Sequence, residues 1–356
     1  MRLATYLSMA ALAQLGLAGY TVKDDYSSAS HFFDKFDFFT EADPTNGYVK
    51  YVDRKTANNL GIVSGNAKGT KIGVDSKNKA SGSGRQSVRL TSKASYNHGL
   101  VILDLNHMPG GACGSWPAFW MLGSGTWPNN GEIDIIEGVN DQTKNQMALH
   151  TTSGCSIDKS GFKGKLGTSN CDVKASGQSD NEGCTITAGS TKSYGSGFNS
   201  GNGGVYATEW TSDAINIWFF PHSNIPSDIA NKKPTPSSWG QPTAKYAGDC
   251  KIDSHFKNMN IVFDVTFCGD WAGNTWSSSS CASKANTCQD YVANNPSAFK
   301  DTYWGINSLL VYEDSSNSKR EEYDYTGLNV TSPLPRTGEA ARRHAIRHGA
   351  HGRHFH

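Results

Sequence analysis

Three carboxylates stand close together in Gly131-Glu132-Ile133-Asp134-Ile135-Ile136-Glu137-Gly138, among three isoleucines and bounded by glycines. β-Branched residues favour a strand and glycine punctuates its ends, so this run reads as one short, buried strand. Alternation places Glu132 and Asp134 on one face and Ile133 and Ile135 on the other. Glu137 then points away, unless the strand carries one extra residue, a β-bulge around Ile135-Ile136; bulges are common beside active sites because they re-aim a side chain. With the bulge, Glu132 and Glu137 are spaced like i and i+4, roughly 12–13 Å between Cα atoms at about 3.3 Å per residue. Glutamates leaning toward each other close that gap to the ~5–5.5 Å between carboxyl groups that a retaining glycosidase needs. A strand whose charges merely face solvent is the alternative, but carboxylates sharing one face repel each other and Asp is disfavoured in strands.

Glycosidic cleavage needs one carboxylic acid to protonate the leaving oxygen and one carboxylate at the anomeric carbon. The run supplies both, with Asp134 between them to hydrogen-bond a glutamate and keep the two pKa values apart. Spacing alone does not say which glutamate is the acid. A pyranose ring also presents an apolar face of C–H groups, which flat aromatic side chains can meet. Trp116, Trp120 and Trp127 precede Glu132 closely, and Trp271 lies in Cys268-Gly269-Asp270-Trp271-Ala272-Gly273. Trp116 and Phe119 are as well explained by core packing. The glycines, prolines and asparagines around Trp127 and Trp271 suggest loops, where an aromatic is more often a binding contact.

The elements that must position these residues are strands. Gly47–Asp53 alternates as a half-buried strand, and 64–84 reads as strands with exposed turns. Ser87–Ser92 places Val88 and Leu90 on one face and Arg89 on the other. Leu100–Leu105, Gln146–Thr152, Val205–Trp210, Ala214–Phe220, Asn260–Phe267 and Tyr303–Tyr312 follow, and Cys288–Asn295 is the one helix expected. Residues 221–248 form a rigid, proline-rich loop. Roughly ten strands with few helices fit an all-β fold, a β-jelly-roll sandwich of two antiparallel sheets with a concave substrate groove.

The chain has 356 residues, a formal charge of +1 and 38 glycines. Near-neutral charge gives no reason for a nucleic-acid partner, and a mean hydropathy of −0.52 suits a soluble protein. Residues 1–18 read as a secretory signal: Arg2, an uncharged run Leu3–Leu17, and small Gly16 and Ala18 before the cut. Thr5, Ser8 and Gln14 make the run a poor membrane span. Eight cysteines, all between 113 and 288, then imply four disulfides. Eight cysteines leave 105 pairings open, and their spacing shows no zinc pattern or other metal site. They make the Gly/Ser/Asn-rich segment 153–204 a set of ordered, stapled loops. Asn329-Val330-Thr331 is a glycosylation sequon. The expected organisation is a signal over 1–18, one catalytic domain over 19–333, and a disordered, basic, His-rich tail over 334–356.

Taken together, Trp116-Pro117-Ala118-Phe119-Trp120-Met121-Leu122-Gly123, Glu132-x-Asp134-x-x-Glu137 and Tyr206-Ala207-Thr208-Glu209-Trp210-Thr211 resemble glycoside hydrolase family 16. Within it, the chain is most similar to secreted fungal endo-1,3(4)-β-glucanases of the laminarinase type, from about Tyr26 to Tyr312. The extra residue before Glu137 is the bulged form of the motif found in laminarinases. The resemblance implies a concanavalin A-like jelly roll and a retaining double displacement, with Glu132 as nucleophile, Glu137 as general acid/base and Asp134 assisting. It further implies Trp120, Trp127, His150 and Trp271 as substrate-groove residues, with Arg89 a weaker match. Some relatives bind a structural calcium, for which these residues mark no site; no other cofactor is expected. The expected protein is a secreted or cell-wall-associated monomer that hydrolyses β-1,3 or mixed β-1,3/1,4-glucans. A glucan transglycosylase with identical catalytic residues is the alternative. A non-catalytic β-glucan-binding protein should lack one glutamate, and both are present.

Overall fold

The computed structural model describes residues 19–67 and 69–315. The signal, the sequon at Asn329 and the tail lie outside the described residues. The chain forms two eight-stranded antiparallel sheets packed as a jelly-roll sandwich.

Sheet A runs β16 (Ala244–Tyr246), β15 (Ile215–Pro221), β14 (Gly204–Trp210), β8 (Gly99–His107), β18 (Tyr303–Asp314), β5 (Gly69–Gly73), β4 (Val63–Asn66), with β1 (Tyr20–Asp25) also paired to β18. Sheet B runs β12 (Lys165–Leu166), β13 (Cys184–Thr187), β11 (Gln146–His150), β10 (Glu132–Glu137), β9 (Ser115–Gly123), β17 (Met259–Phe267), β7 (Arg89–Tyr96), β2 (Phe36–Phe39). A small parallel pair, β3 (Val49–Tyr51) with β6 (Arg85–Ser87), stands apart.

Period-2 patterning decides which residues enter the core. On β17, Ile261, Phe263, Val265 and Phe267 are buried in the core between the sheets, while Asn260, Val262, Asp264 and Thr266 take the other face. On β10, Ile133, Ile135 and Ile136 are all fully buried. The two consecutive core isoleucines are the local mark of the bulge. Phe263 is ringed by Phe32, Phe36, Phe119 and Trp304 at centroid distances of 4.6–6.2 Å. Full burial of one such side chain contributes about 2–3 kcal/mol, enough for its loss to matter in a marginally stable fold.

The expected sandwich is borne out, but its inventory is larger. Eighteen strands are present among the described residues instead of roughly ten, because many span only two to five residues, too short for alternation to register. Gly47–Asp53 contributes only Val49–Tyr51, and its partner is parallel. The single expected helix is likewise a correction. Besides α5 (Cys288–Asn294) there are α1 (Arg54–Leu60), α2 (Gly195–Ser200), α3 (Ser227–Ala230) and α4 (Ile252–His255). α1 starts where the Asp53 carboxylate accepts from Thr56 N–H and stops at Gly61 in the left-handed region; burying only Ala57, it has no apolar stripe to show in the sequence.

The four expected disulfides form, as Cys113–Cys281, Cys155–Cys250, Cys171–Cys184 and Cys268–Cys288. Two of them staple 153–204, which is ordered as its cysteines implied but is not loop throughout, since it holds β12, β13 and α2. The other two tie the segment around Trp271 to the start of β9 and to α5. Among the described residues no helix is long and apolar enough to cross a membrane.

Candidate active site

Register places the three carboxylates. Along β10, Glu132 pairs with His150 and Leu122, and Asp134 with Ala148 and Trp120. The ladder then slips: Glu137 pairs with Gln146 on one side and with Ala118 on the other. On β9 the partners Leu122, Trp120 and Ala118 alternate regularly, so Glu132, Asp134 and Glu137 share one face, the outward face of sheet B. Position 131 must be glycine. Its φ is +77°, and an added Cβ would come within 2.4 Å of the Phe256 ring and 2.6 Å of the His255 carbonyl oxygen.

Each glutamate has its own indole donor. Trp127 Nε1 donates to Glu132 Oε2 at 2.8 Å, and Trp116 Nε1 donates to Glu137 Oε1 at 2.7 Å. Asp134, 2% exposed, has His150 Nε2 at 3.0 Å from Oδ2, and the same nitrogen stands 4.0 Å from Glu132 Oε1. Burial pushes all three carboxyl groups up. Glu132 reaches about 7, raised also by Asp134 and held back by His150, Trp127 and Arg89. Glu137 is driven well above the usual carboxylate range by burial and by Asp134. Asp134 is raised as strongly, by burial and by Asp264. Each glutamate has an indole donor and feels His150, and the Arg89 cation acts on Glu132 in addition.

The other expected site residues fall into two groups. Trp127, 39% exposed on the 124–130 loop, and His150 stand directly at the carboxylates, with their rings 6.2 Å apart. Trp271, on a single π-helical turn Gly269–Gly273, sets its ring edge against Trp116 at 5.6 Å and so lines the Glu137 end. Trp120 and Arg89 form a lower layer. The Arg89 guanidinium lies 4.8 Å from both the Trp120 and the Phe39 rings and is 8% exposed.

Three residues of the site were not picked out in the sequence. Trp116 balanced between core and groove, and its bond to Glu137 decides for the groove. Asp264 accepts from Tyr51 Oη at 2.9 Å and from Trp120 Nε1 at 3.1 Å, with burial raising it to about 6. As the lone acid in Asn260–Phe267, on its polar alternation, it left a readable signal. Asn145 sits beneath the bulge and left none. Ligand atoms of Glu132, Asp134 and His150 lie within 4.8 Å of one another, close enough to hold a cation. Glu132 already engages an indole N–H there. Open hollows lie elsewhere, one lined by Leu60, Lys71 and Tyr303, another by Phe220, Ile225 and Trp239.

Residues 36–312 match the model of the XgeA-like catalytic domain of glycoside hydrolase family 16. An endo-1,3(4)-β-glucanase of Arthroderma benhamiae is 50% identical over 321 residues, covering 89% of this chain and 70% of that protein. The chain spans only 45% of a probable endo-1,3(4)-β-glucanase from Aspergillus fumigatus. Among solved structures, an elongating family 16 β-1,3-glucosyltransferase matches with a TM-score of 0.76 at 45% identity, covering 83% of this chain and all of that one. Laminarinase 16A from Phanerochaete chrysosporium, with β-glucans in donor and acceptor sites, matches with a TM-score of 0.77 at 41% identity over 83% of this chain and all of that one.

Proposed function

The chain belongs to glycoside hydrolase family 16, and on that premise we propose that it is a secreted, retaining endo-β-glucanase acting on β-1,3 and mixed β-1,3/1,4-glucans. The observation that carries this reading is the outward face of β10, where the bulge aligns Glu132, Asp134 and Glu137 and each glutamate meets its own indole N–H.

Glu132, the more readily ionised, attacks the anomeric carbon. As its Oε–C1 bond forms, the C1–O bond to the departing sugar breaks and Glu137 delivers its proton to that oxygen. Glu137, now a carboxylate, takes a proton from water, which attacks C1 and returns Glu132 as the leaving group. Asp134 stands between them, its carboxyl pushed up by burial, with His150 Nε2 3.0 Å from its Oδ2. Trp127, Trp271 and Trp116 offer ring faces and edges to the sugars, and Trp120 over Arg89 supports them from below.

Reducing-sugar release on laminarin, lichenan and xyloglucan, together with trapping by a 2-deoxy-2-fluoro laminaribiosyl donor, tests the assignment. The expected result is release from the first two glucans and a covalent adduct on the peptide containing Glu132. An adduct on another carboxylate would remove Glu132 as nucleophile, and activity on none of the three would remove the substrate class. Transglycosylation is the second reading, favoured by the similarity to the elongating glucosyltransferase. Sugar acceptors and water compete for the same glycosyl-enzyme, so products longer than the starting glucan would select it.

A further inference from the structure

The extra residue that returns Glu137 to the outward face has a cost for the backbone. Asp134 pairs with Ala148 and Glu137 with Gln146, so Ile135 and Ile136 together stand opposite Met147 alone. Backbone groups at a bulge lose their regular ladder partners, and each one left unpaired in a buried strand is destabilising. One side chain meets two of them. Asn145, the residue before β11, accepts from Glu137 N–H through Oδ1 at 2.8 Å and donates from Nδ2 to the Ile135 carbonyl at 2.8 Å. Its carboxamide offers an acceptor and a donor much as a peptide group would, in the place the slipped strand leaves vacant.

Asn145 is itself immobilised. It is fully buried. Its N–H donates to Ser193 Oγ at 3.0 Å, and its carbonyl accepts from Ala188 N–H at 2.8 Å. Ser193 is held in turn, since its hydroxyl donates to the Ser190 carbonyl and its own carbonyl accepts from the Tyr206 hydroxyl. Glu132, in contrast, lies before the bulge, in regular register with His150 and Leu122. Loosening the carboxamide should therefore release Glu137 and leave Glu132 in place.

We propose that Asn145 is a positioning residue for the acid/base step, its carboxamide clamping the bulge so that the Glu137 carboxyl leaves the strand in one direction. The proposal rests on the reading of Glu137 as acid/base. A misplacement of about 1 Å in such a group can slow a reaction by about 100-fold. The loss should be selective. Protonation matters when the leaving group is a sugar hydroxyl, and little when it is 2,4-dinitrophenolate, which departs as the anion. Deprotonation of the incoming nucleophile matters for water and not for azide, which attacks C1 directly to give the glycosyl azide.

The test compares wild type, Asn145→Ala and Glu137→Ala on laminarin and on 2,4-dinitrophenyl β-laminaribioside, the latter with and without azide. Hydrogen exchange at the Glu137 and Ile133 amides is read in parallel. For Asn145→Ala we expect a loss of about 30- to 100-fold on laminarin, less than about 5-fold on the dinitrophenyl substrate with azide, and faster exchange at Glu137 but not at Ile133. Equal losses on both substrates, unchanged turnover, or unchanged exchange at Glu137 would each overturn the proposal. If Asn145→Ala does not fold, Asn145→Asp replaces it. That side chain always accepts from Glu137 N–H but donates to Ile135 only when protonated, so its deficit on laminarin should grow with pH; a deficit constant with pH would overturn the clamp. Glu137→Ala must show the same split and azide rescue. Its failure would sink the acid/base reading, and exchange at the Glu137 amide would still decide the clamp.

Discussion

Sheets A and B each comprise eight strands and bury one face against the other, yet their outward faces are opposites. Outside sheet A, Leu100, Ile102, Val205, Ala207, Trp218, Leu310 and Tyr312 form a second apolar cluster capped by Ile229 and Trp239 from the proline-rich segment. Trp239 packs edge-on against Trp218 and Phe220 at 5.3 and 5.6 Å, and Trp218 Nε1 donates to the Gly240 carbonyl. Outside sheet B, the positions equivalent in the alternation carry Glu132, Asp134, Glu137, Asp264 and Arg89 beneath half-exposed indoles. One face spends its surface on burial. The other keeps carboxyl groups in surroundings that raise their pKa, which opposes folding at neutral pH and serves proton transfer.

The sharpest way to break the contrast is Glu132→Gln. Turnover on laminarin should fall by on the order of 10⁴-fold or more if the nucleophile is lost. Stability should move the other way. The folded protein holds the Glu132 proton up to about 7 against an ordinary 4.5, so wild type loses stability as pH rises through that window, and Gln does not. At about 1.4 kcal/mol per unit, reduced because 18% of the side chain is exposed, the variant should be more stable than wild type by about 2 kcal/mol at pH 8 than at pH 4. Denaturant titration at the two pH values reads this difference; a stability gap that does not widen with pH would mean Glu132 is not held protonated.

Trp239→Ala attacks the covered face and should do the converse. Chemical denaturation should show a loss of about 3 kcal/mol, with kcat/KM per folded molecule unchanged. A change in kcat/KM would show that the two faces are coupled. Asp264→Asn tests the layer between. The amide cannot accept from both Tyr51 and Trp120, so kcat/KM on laminarin should drop about tenfold while the melting temperature moves by only a few degrees. The smallest effect concerns pH. With Glu132 as the proposed nucleophile, its ionisation should set the acid limb of kcat/KM, above the limb of an ordinary glutamate. Trp127→Phe removes a donor that holds its pKa down, so the limb should move up. A downward shift would assign the limb to another group.

The catalytic strand was legible because its chemistry is written in spacing: Glu132, Asp134 and Glu137 cannot share a face without the bulge, and no structure was needed to require it. A dense apolar run likewise marked β8, and a long β-branched and aromatic run marked β17. What was not legible depends on partners distant in sequence. Arg89 reads as an outward cation, yet Phe39 from the adjacent β2 and Trp120 from β9, two strands away, enclose it. Asn145 is one more polar residue in a turn until the slipped ladder beside it is seen. α1 is fixed by its caps rather than by an apolar stripe, and β12, two residues long, has no pattern at all.

The crossing of the disulfides has a consequence for the chain in a protease-rich medium. Asn231, Lys232 and Lys233 are exposed on the cap of sheet A, an inviting place for a cut. Such a cut separates Glu132, Asp134 and Glu137 from Asp264 and Trp271. Cys113–Cys281 and Cys155–Cys250 both bridge it, so the fragments stay one covalent molecule until reduced.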